Sequence, residues 1–139
     1  MEFQSSCTAD TENFARQIAE KAKSGNIYAL RGDLGAGKTT FARAFIRHLY
    51  GAETEVPSPT FTLVQTYDTK YGPLYHFDLY RLESADDVFE LGWDEALSDG
   101  IVLIEWPERA GPNLPREHQN ITFTSTGGES RRITLIHGT

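Results

Sequence analysis

Cysteine is almost absent, with Cys7 alone among 139 residues. A single thiol forms no internal disulfide and no cysteine metal cluster, so it reads as a small unreactive side chain. Long apolar runs are missing too, and no uninterrupted stretch reaches membrane-spanning length. The start, Met-Glu-Phe-Gln-Ser-Ser, has neither a basic nor an apolar leader region. These absences predict a reducing, cytoplasmic setting with no membrane attachment. Basic residues are in the minority, 13 Lys and Arg against 20 Asp and Glu, for a net charge of -7. A broad nucleic-acid footprint needs a basic face to neutralise phosphates, so no direct stable nucleic-acid binding is expected. Repeats, low-complexity tracts and linkers are also lacking, and the length fits one domain over residues 1–139.

What is present suffices for a packed core: 39% hydrophobic and 12% aromatic residues. Phe14, Ile18 and Ala22 recur at helical spacing and predict a helix over residues 11–23, with Thr8 or Asp10 as cap and Gly25 beyond its end. Residues 26–30 read as a buried strand. Residues 38–50 return to helical spacing through Phe41, Ala44, Phe45 and Leu49, and Gly51 stops them. A hairpin is expected over 61–78, with its turn in 68–73. Ser84 and Asp87 have capping-box spacing and open a short helix. Residues 101–104 form a fully apolar strand ending at Glu105, Pro112 and Pro115 mark a loop, and 121–136 reads as a second hairpin.

Between the first strand and the second helix lies Gly-Asp-Leu-Gly-Ala-Gly-Lys-Thr, residues 32–39. Strand, glycine-rich loop and helix occur in the order that a phosphate-binding loop requires. Glycines let the backbone curl until successive N–H groups point at an anion, and the helix start adds partial positive charge. Gly35, Ala36 and Gly37 are therefore expected around the phosphates, with Lys38 reaching the β- and γ-phosphates, Thr39 ligating Mg2+ and Thr40 adding a contact. A chance glycine turn with this pattern would arise in roughly one chain of this length in a few hundred. The fold expected is α/β: a P-loop NTPase-like sheet with a parallel core, antiparallel hairpins and helices on both faces. No guanine-reading Asn-Lys-x-Asp occurs, which favours ATP.

Magnesium needs further oxygen ligands. Glu105 ends an apolar strand, and ligands bind at that edge of a parallel sheet. Asp78 ends the run Leu-Tyr-His-Phe-Asp and is a second candidate for holding metal or orienting water; the alternative is a polar strand end paired with Arg81. His76 shares its face and is read as structural. In Pro-Ser-Pro-Thr-Phe, residues 57–61, Ser58 and Thr60 offer hydroxyls as a nucleotide-sensing switch would, or the prolines simply start a strand. Trp106 reads as a core aromatic or a platform beside the site, and the acidic run Glu83, Asp86, Asp87 and Glu90 as a solvated helix face.

Four stretches together resemble the TsaE (YjeE) family, the bacterial ATPases needed to make threonylcarbamoyladenosine in transfer RNA. They are residues 32–41, Ser-Pro-Thr-Phe-Thr-Leu-Val (58–64), His-Phe-Asp-Leu-Tyr-Arg-Leu (76–82) and Ile-Glu-Trp-Pro-Glu-Arg (104–109). The resemblance implies that Thr39 and Glu105 hold magnesium and that Asp78 serves hydrolysis or metal binding. It further implies that Thr11 lies near the adenine end of ATP and that a C-terminal arginine, best matched to Arg132 with Arg131 as the alternative, approaches the nucleotide. The implied partners are the TsaD and TsaB subunits. Two other readings share the phosphate loop: a small-molecule kinase, which needs an acceptor pocket and a lid, and a non-hydrolysing ATP-binding module.

Overall fold

The computed structural model describes residues 1–52, 55–59 and 61–138. Seven strands form one sheet: β1 (Glu2–Ser5), β2 (Ile27–Arg31), β3 (Val64–Thr69), β4 (Gly72–Asp78), β5 (Ile101–Glu105), β6 (His118–Gly127) and β7 (Ser130–Gly138). Their order is β1-β7-β6-β2-β5-β4-β3. β4, β5, β2 and β6 run parallel, and antiparallel pairs extend this core through β3 on one side and through β7 and β1 on the other. The expected mixed α/β sheet is therefore observed.

Alternation along the buried strands divides the core in two. Tyr28, Leu30, Leu74, Ile101 and Leu103 face α1 (Thr8–Glu20) and α2 (Lys38–Tyr50). Ile27, Phe77, Val102 and Ile104 face the opposite layer, built by the 3₁₀ segment Ala85–Leu91, α3 (Trp93–Asp99) and the 3₁₀ segment Pro107–Asn113. On the first face, Phe41 lies 6.0 Å from Phe14, 6.0 Å from Phe45 and 5.5 Å from Phe123 between ring centroids. Full burial of such a ring contributes about 1.5–3 kcal/mol. This cluster locks the first turn of α2, and so the phosphate loop, to both α1 and β6.

Helix α2 occupies the expected residues, while other boundaries move for local reasons. α1 begins at Thr8 after Cys7, and Asp10 accepts from the Ser6 N–H at 2.9 Å. β3 starts at Val64, because Leu63 has φ 68 and breaks the extended run. The expected capping box forms: the Ser84 N–H donates to Asp87 at 3.2 Å. Strand β1 and helix α3 are additions to the expected elements. α3 is anchored by Trp93, 1% exposed, whose Nε1 donates to the Asn113 carbonyl at 3.1 Å.

Candidate nucleotide site

The glycine loop joins the C-terminal end of β2 to the start of α2. Gly37 precedes the helix at φ 108, a left-handed conformation that favours glycine. Gly32 is required for space, since a Cβ there would lie 2.6 Å from the Phe123 carbonyl oxygen. Ala36 turns its methyl into the core and donates its N–H to Asp33 at 3.1 Å. The first N–H groups of an α-helix have no intrahelical acceptor, so those opening α2 are available as anion donors.

A pocket of about 310 Å³ lies above this loop, lined by Lys38, Thr39, Asp78, Glu105, Trp106 and Arg131 among others. Gly35, Gly37 and Thr40 also line it, as does Ser58. Thr60 lies outside the described residues. A larger cavity, about 580 Å³, sits at the far end of α2 near Arg47 and Lys70 and includes neither Asp78 nor Glu105 in its lining.

Lys38 is 4% exposed. Its ammonium donates to the Gly32 carbonyl at 2.6 Å and stands 3.6 Å from the centroid of the Trp106 ring. Burial pulls its pKa below the ordinary lysine value, while Glu105, Glu108, Asp78 and Asp33 push it back up. Trp106 is therefore a platform under the lysine, half-buried against the core on the sheet face opposite α1 and α2.

Asp78 and Glu105 are register partners on adjacent parallel strands, both nearly buried and on one face. The Asp78 Oδ1 accepts from the Tyr80 N–H at 3.0 Å. Thr39 Oγ1 donates to Glu105 Oε1 at 3.4 Å, and the other Glu105 oxygen meets His76 Nε2 at 2.7 Å. Two carboxylates and a hydroxyl are the hard oxygen donors Mg2+ takes, and two neighbouring negative groups favour a cation between them. Among the described residues no cluster of three or more His, Cys, Asp or Glu stands ready for a metal.

The arginines divide. Arg131 Nη2 donates to the Gly35 carbonyl at 2.9 Å, whereas Arg132 lies beside Glu2, 3.6 Å away, on the outer strand pair. The resemblance matched Arg132 best, with Arg131 as the alternative; of the two, the fold places Arg131 at the pocket, because successive strand residues face opposite sides. Thr11 is 2% exposed, shares a 2.7 Å hydrogen bond with Ser5 and is not among the residues that line the pocket. Tyr80, Leu34 and Arg81 stand at the rim, a placement not anticipated from sequence although all three lie in the stretches 32–41 and 76–82 that carry the resemblance.

A phosphate loop at the C-terminal edge of parallel strands, faced by two strand-end carboxylates, defines a P-loop α/β protein. The family described as Threonylcarbamoyl adenosine biosynthesis protein TsaE matches residues 5–133, and the chain belongs to it. The chain is similar to the tRNA threonylcarbamoyladenosine biosynthesis protein TsaE of Bacillus subtilis, 41% identical over 127 residues, covering 91% of this chain and 78% of that protein. The protein of the same name from Rickettsia felis is 48% identical over 99 residues, 71% of this chain; the match spans only 58% of the Rickettsia protein's length. The crystal structure of Bacillus subtilis YdiB superposes with a TM-score of 0.80 at 32% identity, covering all of this chain and 86% of that one.

Proposed function

We propose that this chain binds ATP with magnesium and hydrolyses it slowly in the cytoplasm, serving threonylcarbamoyladenosine formation in transfer RNA with the TsaD and TsaB subunits. The observation that carries this reading is the convergence of Lys38, Thr39, Asp78 and Glu105 on one pocket, in a chain of the TsaE family.

The N–H groups opening α2 and the backbone around Gly35, Ala36 and Gly37 receive the phosphates. Lys38 exchanges its Gly32 carbonyl partner for the β- and γ-phosphate oxygens. Thr39 and Glu105 would hold magnesium, with Asp78 beside them, and the ion would supply positive charge against that of the phosphates. Asp78 or Glu105 orients the attacking water. Ser58 and Thr60 offer hydroxyls from the proline-rich loop, and Thr40 adds a phosphate contact. Arg131 approaches the nucleotide from beside Gly35. Thr11 stands behind that end, tied to Ser5, the register partner of Arg131. The rim residues Leu34 and Tyr80 are 68% and 37% exposed, so the pocket opens to water. An open site leaves the electrostatic terms screened, and we assign its closure to the partner subunits.

Reconstituted modification with TsaD, TsaB and this chain tests the proposal. Lys38→Ala is expected to stop repeated turnover; undiminished turnover would reject it. Single-turnover phosphate release, with and without partners, is expected to be faster with them. No release in either condition would reject the hydrolysis step.

A further inference from the structure

We infer that His76 is a positioning residue for the metal site, holding the Glu105 carboxylate in the rotamer that presents Oε1 to Thr39 and the pocket. The inference rests on the nucleotide and magnesium reading above.

Glu105 is the polar end of an otherwise apolar strand and is 3% exposed. A carboxylate there needs a donor, or it turns toward whatever polar atom it can reach. His76 Nε2 lies 2.7 Å from Glu105 Oε2, and both side chains are almost wholly buried. An ionised carboxylate only accepts, so Nε2 carries the proton and donates. The other oxygen, Oε1, is then left facing Thr39 at 3.4 Å.

Among the described residues, the buried His76 Nδ1 meets no hydrogen-bond partner. The ring instead directs Nε2 across adjacent parallel strands at the Glu105 carboxylate. Its position is rigid: β4 pairs β3 on one side and β5 on the other, and His76 itself is opposite Gln65 and Leu103. A fixed donor on a rigid strand is how a metal-ligating carboxylate is held in one orientation.

The role is separable from simple packing, because it acts on magnesium dependence and not on nucleotide contact. The test is calorimetry of the full chain with a non-hydrolysable ATP analogue, at stepped magnesium and in EDTA. The variants are His76→Phe, which keeps the ring volume without a donor, and His76→Gln, whose amide nitrogen replaces Nε2. His76→Phe is expected to raise the half-saturating magnesium concentration about tenfold and to leave affinity in EDTA unchanged. His76→Gln is expected to restore the wild-type magnesium dependence. If His76→Phe does not fold, His76→Asn, too short to reach Glu105, takes its place with the same expectation. A folded Phe or Asn variant with wild-type magnesium dependence would overturn the inference alone. So would an equal loss of affinity with and without magnesium, or failure of a folded His76→Gln to rescue. No analogue binding by the wild-type chain would instead overturn the nucleotide reading, and this inference with it.

Discussion

The ammonium of Lys38 rests 3.6 Å above the Trp106 ring while donating to the Gly32 carbonyl at 2.6 Å. The loop thus binds its own lysine: the backbone that would wrap a phosphate supplies the oxygen that holds the cation. Burial of this charge is costly, and the direction of the Lys38 pKa shows that cost exceeding the pull of the nearby carboxylates.

Lys38→Met should therefore separate binding from stability. Losing a charged hydrogen-bond donor to phosphate is expected to weaken nucleotide binding by about 1.5–3 kcal/mol. The urea midpoint is expected to hold or rise, since a buried cation gives way to an apolar chain of similar length. Calorimetry and urea titration of one preparation check both, and a large fall in the midpoint would contradict the second expectation.

Trp106 combines a left-handed backbone, φ 59 and ψ 51, with a following proline. Both are unfavourable for a bulky residue. Trp106→Ala keeps the strain and removes the platform, whereas Trp106→Gly removes both. We expect the Gly variant to be more stable than the Ala variant by roughly 1 kcal/mol. Equal stabilities in denaturant titration would mean that the backbone there is unstrained.

Gly32 and Gly127 both have positive φ, 144 and 130. A Cβ on Gly32 meets the Phe123 carbonyl oxygen at 2.6 Å, while one on Gly127 meets nothing within 4 Å. Gly32→Ala is expected to cost about 1–3 kcal/mol more than Gly127→Ala, by forcing β6 away from the loop. Thermal unfolding of the pair decides it.

Arg131 and Arg132 provide an internal control. Arg131→Ala should weaken ATP-analogue binding, and Arg132→Ala, which loses only an exposed contact to Glu2, should leave it unchanged. The reverse result would return the role to Arg132.

Alkaline stability should report Tyr28. Burial raises its pKa from 10.0 to about 12. The folded state then holds a proton that the unfolded chain releases, so this contribution is complete below pH 10 and is lost as pH rises toward 12. Tyr28→Phe should flatten the fall of unfolding free energy over that window relative to wild type. Parallel curves would show that Tyr28 does not contribute.

Much of this site was legible along the chain because its chemistry is local. Residues 32–39 contain the loop glycines, the lysine and the threonine that faces Glu105 within one turn of backbone and helix, and nearest-neighbour sterics suffice to shape them. Asp78 and Glu105 were legible as strand ends, since an apolar run that stops at an acid marks where a buried strand surfaces. Other assignments depended on which side of a strand a residue faces and on what lies across the sheet. Arg131 and Arg132 differ by one position, and only pairing with β1 and β6 decides which turns to the loop. His76 looked like an ordinary strand residue because its partner is 29 residues away.

Local composition thus committed this chain to a phosphate loop between a buried strand and a helix, because those preferences act over a few adjacent bonds. Parallel pairing of β4 with β5 placed Asp78 beside Glu105 and His76 within reach of it. No stretch of contiguous residues encodes that meeting; it arises when distant segments share one sheet and exclude water between them.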